Sequence, residues 1–260
     1  MEDLSHYNAE GTTLRKAQLR MLDILMVVDQ ICQKHNITYF LDGGSCLGAI
    51  RHKGFIPWDD DLDIAVMRKD LLKLRKILPK ELPENLVYQD ETTDKNFCMK
   101  IAKVRDKNSL IEEEESFNLQ ENGIFLDIIP VEPIVSFRLK KFIDFFYGRA
   151  FRRIKNYNDK KIEYLIALIL WGPANLLVWG ARLLAKIIRP KKLCHVYGWN
   201  AYNFVWMNDV YPVQRSIFEN KEVCLPKNPD RFLNRLFGNY MQIPPQDKRI
   251  IHSTKIIFYD

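Results

Sequence analysis

Two carboxylates stand two residues apart in Asp61-Leu62-Asp63, at the start of a stretch that alternates through Val66. Successive side chains of an extended chain point to opposite faces. Asp61 and Asp63 therefore share one face, about 7 Å apart, while Leu62 and Ile64 take the other. Like charges so placed repel unless a cation lies between them, and hard divalent ions take oxygen ligands, so Mg2+ (or Mn2+) is the natural counter-charge. A solvated turn is the competing interpretation. Asp127 is the third suspect: it sits alone among Ile124, Phe125, Leu126, Ile128 and Ile129. A charge in such a strand is costly without a metal or a partner. Upstream, Gly43-Gly44-Ser45 lies between a strand-like and a helix-like segment, where free backbone N–H groups and the helix dipole would face an anion such as phosphate.

The elements that must position these residues are legible in outline. Thr12 or Thr13 caps an amphipathic helix in which Leu14, Leu22, Leu25, Val28 and Cys32 recur until His35-Asn36. Residues 37–41 read as a strand, Asp42-Gly43-Gly44-Ser45 as a turn, and Ser45 as the cap of a short helix ending near Arg51. Residues 62–66 read as a strand and 68–78 as a helix stopped by Pro79. Further strands are expected around Val87 and over 97–104, 110–113 and 124–129, the last bounded by Pro130. From 138 to 190 almost everything suits a helix. The pattern predicts an α/β (α+β) fold: a mixed sheet with helices over 1–133, and a mainly helical lobe over 134–260 that closes the substrate cleft.

With 260 residues, 47% hydrophobic, 11 Gly and 12 Pro, the composition excludes collagen, coiled coil and a disordered tail. Five scattered cysteines, with no CxxC pair, give no disulfide framework or zinc ribbon. No basic and apolar leader opens the sequence, so a cytoplasmic location is expected. The charge balance, 39 Lys+Arg against 33 Asp+Glu, is mild. Its placement is less so: Arg138, Lys140, Lys141, Arg149, Arg152, Arg153, Lys155, Lys160 and Lys161 meet only Asp144 and Asp159, with Phe142, Phe145, Phe146, Tyr147 and Phe151 interleaved. Such a stretch suits a solvated helix face, an anionic membrane surface or nucleic acid.

Residues 164–181 carry no charge and reach the lower edge of a membrane span. Gly172-Pro173 and Asn175 interrupt them, so a broken helix or helical hairpin lying in the membrane interface is expected over a straight span. A buried lobe of a soluble enzyme is the alternative.

Residues 41–64, running from Leu41-Asp42-Gly43-Gly44-Ser45 through Trp58-Asp59-Asp60-Asp61-Leu62-Asp63-Ile64, resemble the signature of the LicD family of the nucleotidyltransferase superfamily. The likeness continues in residues 103–108 and 123–130, and returns in 237–245 with Lys248, Arg249 and His252. Asn239 departs from it, since Asp is common there in that family. The resemblance implies a nucleotidyltransferase fold in which Gly43, Gly44 and Ser45 hold nucleotide phosphates and Asp61, Asp63 and Asp127 hold metal and act in catalysis. It further implies transfer of phosphocholine, or a related phospho-alcohol, from CDP-choline or a similar CDP-alcohol to a sugar hydroxyl of a cell-envelope glycan such as a teichoic acid precursor. On that basis Arg51, Lys53, Lys103 and Arg105 are candidate clamps for the diphosphate.

A quaternary ammonium would ask for aromatic faces, for which Trp58 is placed nearest the chemistry and Tyr197, Trp199, Tyr202, Phe204, Trp206 and Tyr211 form a richer stretch. Asp59 and Asp60 would add negative charge. A lipid-linked glycan acceptor and contact with the inner face of the cytoplasmic membrane are the expected partners, with no nucleic acid. Two other functions are weighed: a catalytically silent nucleotide-binding partner, and a nucleic-acid nucleotidyltransferase.

Overall fold

The computed structural model describes residues 4–113, 119–155, 161–199, 203–249 and 251–259. Asp159, Lys160 and Tyr202 of the expectations above lie outside the described residues. Helix α1 (Thr13–Lys34) is capped by Thr12, whose side chain accepts from the Arg15 amide, and it buries Met21, Leu22, Leu25, Val28 and Cys32. It is followed by β1 (Tyr39–Leu41), α2 (Gly43–Arg51), β2 (Asp63–Met67), α3 (Arg68–Glu81), β3 (Leu86–Asp90), β4 (Ala102–Asp106), β5 (Ser109–Glu113) and β6 (Phe125–Pro133). The second half supplies α4 (Phe137–Lys155), α5 (Lys161–Ile188), β7 (Lys192–His195), β8 (Val205–Trp206), α6 (Met207–Val210), β9 (Gln214–Phe218), β10 (Lys221–Leu225), α7 (Pro229–Phe237) and β11 (Ser253–Phe258).

The main sheet runs β1-β2-β6-β4-β3, with β7 joined to β6 and β8 to β7. Its centre is β6, parallel to β2 and antiparallel to both β4 and β7. A nine-residue strand, apolar except for Asp127 and Glu132, suits this place, because a strand flanked on both edges and covered on both faces has little room for polar side chains. Helix α1 packs against β4 and β6, and α3 against β2, β3 and β6. The α/β plan is therefore present.

Several boundaries differ from the sequence reading, each for a local reason. Pro130 does not end β6; it lies opposite Val66 of β2, and its carbonyl accepts from the Val196 amide at 3.0 Å. Nor does Pro79 stop α3, which runs to Glu81. Residues 97–101 fall outside β4. The second half supplies the helices Phe137–Lys155 and Lys161–Ile188, yet β7 and β8 extend the main sheet and β11 pairs with β5, so residues beyond 190 are built into the first half. Finally, α5 is one continuous helix of 28 residues through Gly172-Pro173, not a broken helix or hairpin. It is long and apolar enough to cross a membrane by length and composition.

Candidate active site

The site grows out of strand register. Asp63 stands opposite Asp127 across the parallel pair β2–β6, and Asp127 stands opposite Lys103 across the antiparallel pair β6–β4. Residues opposite one another on neighbouring strands lie about 5 Å apart and present side chains to one face. Asp42, just past β1, joins the row because its amide donates to the Asp63 carbonyl at 3.0 Å. Asp61 enters from two residues before β2, on the face its period of two assigns.

Asp42, Asp61, Asp63 and Asp127 line a cavity of about 630 Å3 together with Gly43, Gly44, Asp59, His195 and His252. Burial pushes the Asp61 carboxyl up to about 6, helped by the charges of Asp127 and Asp60 and opposed by His252 and Lys103. Asp63 lies well above the ordinary carboxylate range, through burial first and then the charges of Asp61 and Asp127. Asp59 is raised for the same reason, with Asp61 and Asp60 as its neighbours. A cavity that holds its own carboxylates in mutual repulsion lacks positive charge.

Part of that charge comes from Lys103. Its ammonium lies 2.9 Å from Oδ1 and 3.1 Å from Oδ2 of Asp127, over the Phe125 ring at 3.2 Å. Lys103 is itself buried and does not line the cavity; its charge is committed to Asp127. No comparable partner meets Asp61 and Asp63 in the interactions that shift them, where His252 and Lys103 oppose only the first. The donor set is made of hard oxygens, and it fits a divalent ion chemically. Among the described residues no three His, Cys, Asp or Glu side chains are yet gathered as a metal cage.

The glycine segment departs from expectation. Helix α2 already begins at Gly43, with Asp42 as its N-cap, so Gly43-Gly44-Ser45 is the helix's first turn. Asp42 makes no side-chain cap bond; it pairs instead with Nε2 of His195 at 2.8 Å, which leaves the first amides of α2 without a cap from that carboxylate. Gly43 has a φ of +45°, which a side chain disfavours, and a Cβ at Gly44 would sit 3.1 Å from Asp59 Oδ2. Ser45 is buried; its Oγ accepts from the Asp63 amide at 2.8 Å and so fixes where β2 begins.

Other candidates do not reach the cavity. Arg51 donates to the carbonyls of Tyr240 and Gln242 at 2.7 and 3.3 Å, tying α2 to the C-terminal segment. Lys53 lies in the bend after α2, where its carbonyl accepts from the Glu219 amide. Arg105 is 1% exposed and donates to Gln89 Oε1 and the Gly123 carbonyl. Trp58 packs against Tyr7 and His52 with the Arg249 guanidinium 4.9 Å from its ring, so it is a core residue here. Asp60 is also buried, accepting the amides of His252 and Ser253 at 3.1 and 2.5 Å. Of the aromatic stretch, Trp199 alone among its described members lines the cavity; Phe232 and Phe237 of α7 line it too.

The sequence reading missed Asp42, His195 and Arg152 as cavity residues. Asp42 had a signal, its position beside the glycines. His195 had none, because only the pairing of β7 with β6 brings it in.

Comparison with known proteins adds a family to this geometry. A match to the family described as "LicD/FKTN/FKRP, nucleotidyltransferase domain" covers residues 36–157. A protein of Haemophilus influenzae named lipopolysaccharide cholinephosphotransferase LicD is 27% identical over 264 residues, covering 92% of this chain and 96% of the relative. A ribitol 5-phosphate transferase, FKRP, of Mus musculus is 36% identical over 70 residues, covering 26% of this chain and 14% of that protein.

Proposed function

We propose that this chain, which carries a LicD-family nucleotidyltransferase domain, transfers phosphocholine or a related phospho-alcohol from a CDP-activated donor to a sugar hydroxyl of a cell-envelope glycan such as a teichoic acid precursor. The observation that carries the reading is the register of Asp63 with Asp127, which sets two carboxylates side by side beside Asp61 at the mouth of α2. The two relatives named for phospho-alcohol transfer support the reaction class.

The chemistry follows from charge. A phosphoryl centre surrounded by oxyanions repels an attacking hydroxyl, so its charge must be neutralised and its oxygens held in line. A divalent ion held by Asp61, Asp63 and Asp127 would supply that neutralisation and polarise the entering and leaving oxygens. The first amides of α2, at Gly43 and Gly44, would orient the donor diphosphate against the helix dipole. Asp127 would accept the proton of the sugar hydroxyl as its oxygen bonds to phosphorus and the bond to CMP breaks. Lys103 holds Asp127 in place for that work. His195, oriented by Asp42, is the second basic group facing the reaction. Trp199, Phe232 and Phe237 offer the aromatic faces for a choline ammonium.

The reading places the protein in the cytoplasm at the inner face of the cytoplasmic membrane, with a lipid-linked acceptor. The test is incubation with CDP-choline, Mg2+ and glycan acceptor, followed by measurement of CMP. Metal-dependent CMP release matched by choline on the glycan is expected. Its absence with CDP-choline, CDP-ribitol and CDP-ethanolamine alike overturns the proposal.

A further inference from the structure

A second cavity, of about 670 Å3, lies between α4 and α5. Phe145, Phe146, Ile166 and Leu170 form its apolar wall, and Arg149, Arg152 and Arg153 its cationic one. Glu163, the carboxylate in the lining, is engaged by Arg153 at 2.7 Å. Arg149 rests on the Phe145 ring at 4.1 Å, and among the described residues neither Arg149 nor Arg152 has an ion pair or hydrogen bond. Two guanidiniums thus remain for an anion, and their planar donors match phosphate geometry. Arg152 also lines the acidic cavity, so one side chain forms a wall of both.

The surface beside this pocket is apolar. Ile162, Ile169, Trp179 and Ile187 of α5 are each more than 60% exposed, and Phe142 and Phe145 of α4 more than half. A soluble surface does not leave so large a stripe to water, and the arginines at its edge are placed as residues that snorkel from an acyl layer to its headgroups. Apolar stripe and cationic pocket together describe one kind of occupant: an alkyl chain ending in a phosphate.

We infer that the α4–α5 pocket binds the phosphate joining a lipid to the acceptor glycan, with the lipid chain along α5 and the glycan leading past Arg152 into the acidic cavity. The glycan half rests on the proposed transferase reaction; the phosphate half stands on the pocket itself. The same class of site would make the enzyme act on acceptors still attached to their lipid carrier.

The probe is the full chain with phosphatidylcholine vesicles doped with hexadecyl phosphate, against vesicles of equal charge made with phosphatidylserine, and against inorganic phosphate. Preferential binding to the hexadecyl phosphate vesicles is expected. Arg149→Ala should lose at least about tenfold of it, one charge-assisted hydrogen bond, and Arg149→Lys less. With an oligosaccharide acceptor linked to hexadecyl phosphate, kcat/KM for Arg149→Ala should fall by a similar factor, while the free oligosaccharide is used within about twofold of wild type. No preference for hexadecyl phosphate, equal losses on both acceptors, or a chain that covers α5 by self-association and ignores vesicles would each overturn the inference. Retained vesicle binding with no CMP release from either acceptor would remove the transferase reading and leave the phosphate pocket supported.

Discussion

The acidic cavity and the α4–α5 pair handle charge in opposite ways. In the cavity, Asp59, Asp61 and Asp63 are crowded by strand register into surroundings that raise their proton affinity. On α4 and α5, arginines stand at the rim of an uncovered apolar stripe. Folding alone justifies neither arrangement: the first accumulates repulsion, the second leaves hydrophobic surface in water. On the proposed reading, each would be resolved by a partner of complementary character, a cation and diphosphate in one case and an anionic amphiphile in the other. The difference teaches where to look for function, since the acid cluster is enclosed in a cavity and the helical face is a surface.

The largest effect should come from the cavity. Asp63→Asn is expected to cut kcat by about 10^3-fold, as removal of one element of charge stabilisation does, while leaving the metal-free protein as stable or more stable, because it removes a buried charge whose proton affinity is already raised. Asp127→Asn should lose activity similarly but also cost about 3–5 kcal/mol, because it strands the buried Lys103 ammonium. Chemical denaturation beside steady-state rates separates the two. Equal stability of the variants would break the distinction between an unpartnered and a lysine-held carboxylate.

A smaller effect is expected from pH. Asp61 in the folded protein holds its proton up to about 6, and the unfolded side chain only to about 4. Between those values the folded state binds more protons, so metal-free stability falls as pH rises through the window. A divalent ion favours the ionised form; the rise in Tm on adding Mg2+ or Mn2+ should therefore be larger at pH 7.5 than at pH 5. A pH-independent rise would mean the ion binds elsewhere. His195→Ala should lower kcat by roughly 10^2-fold, and it should also cost stability, because it leaves the buried Asp42 carboxylate without its partner.

The smallest effect on folding should come from the helical pair. Ile169→Ser at an exposed position should change stability by no more than about 0.5 kcal/mol yet weaken vesicle binding. A loss of stability instead would show that α5 packs against protein.

Much of the fold was legible because its signals are local. The stripe of α1, the alternation of β2 and the apolar run of β6 each report burial directly. Pro130 misled because a proline ends a strand only where its missing N–H is needed, and there the carbonyl does the pairing; Pro79 gives up one helix bond inside α3, which runs on two residues to Glu81. Pro173 gives up one hydrogen bond in the middle of α5, and the helix runs on through it. Arg51 and Arg105 followed from the resemblance and Trp58 from its place beside the acidic turn, but each side chain meets residues far away in sequence.

By itself the sequence determined that Asp61 and Asp63 share a face, that Asp127 sits in a buried strand, and that residues 41–64 resemble the LicD-family signature. Only the tertiary structure decided that Lys103 meets Asp127, that Asp42 holds His195, and that Arg152 borders two cavities. The reason is physical: side-chain direction along one strand follows from backbone geometry, whereas the partner across the ladder is set by the register of segments whose meeting no local pattern encodes.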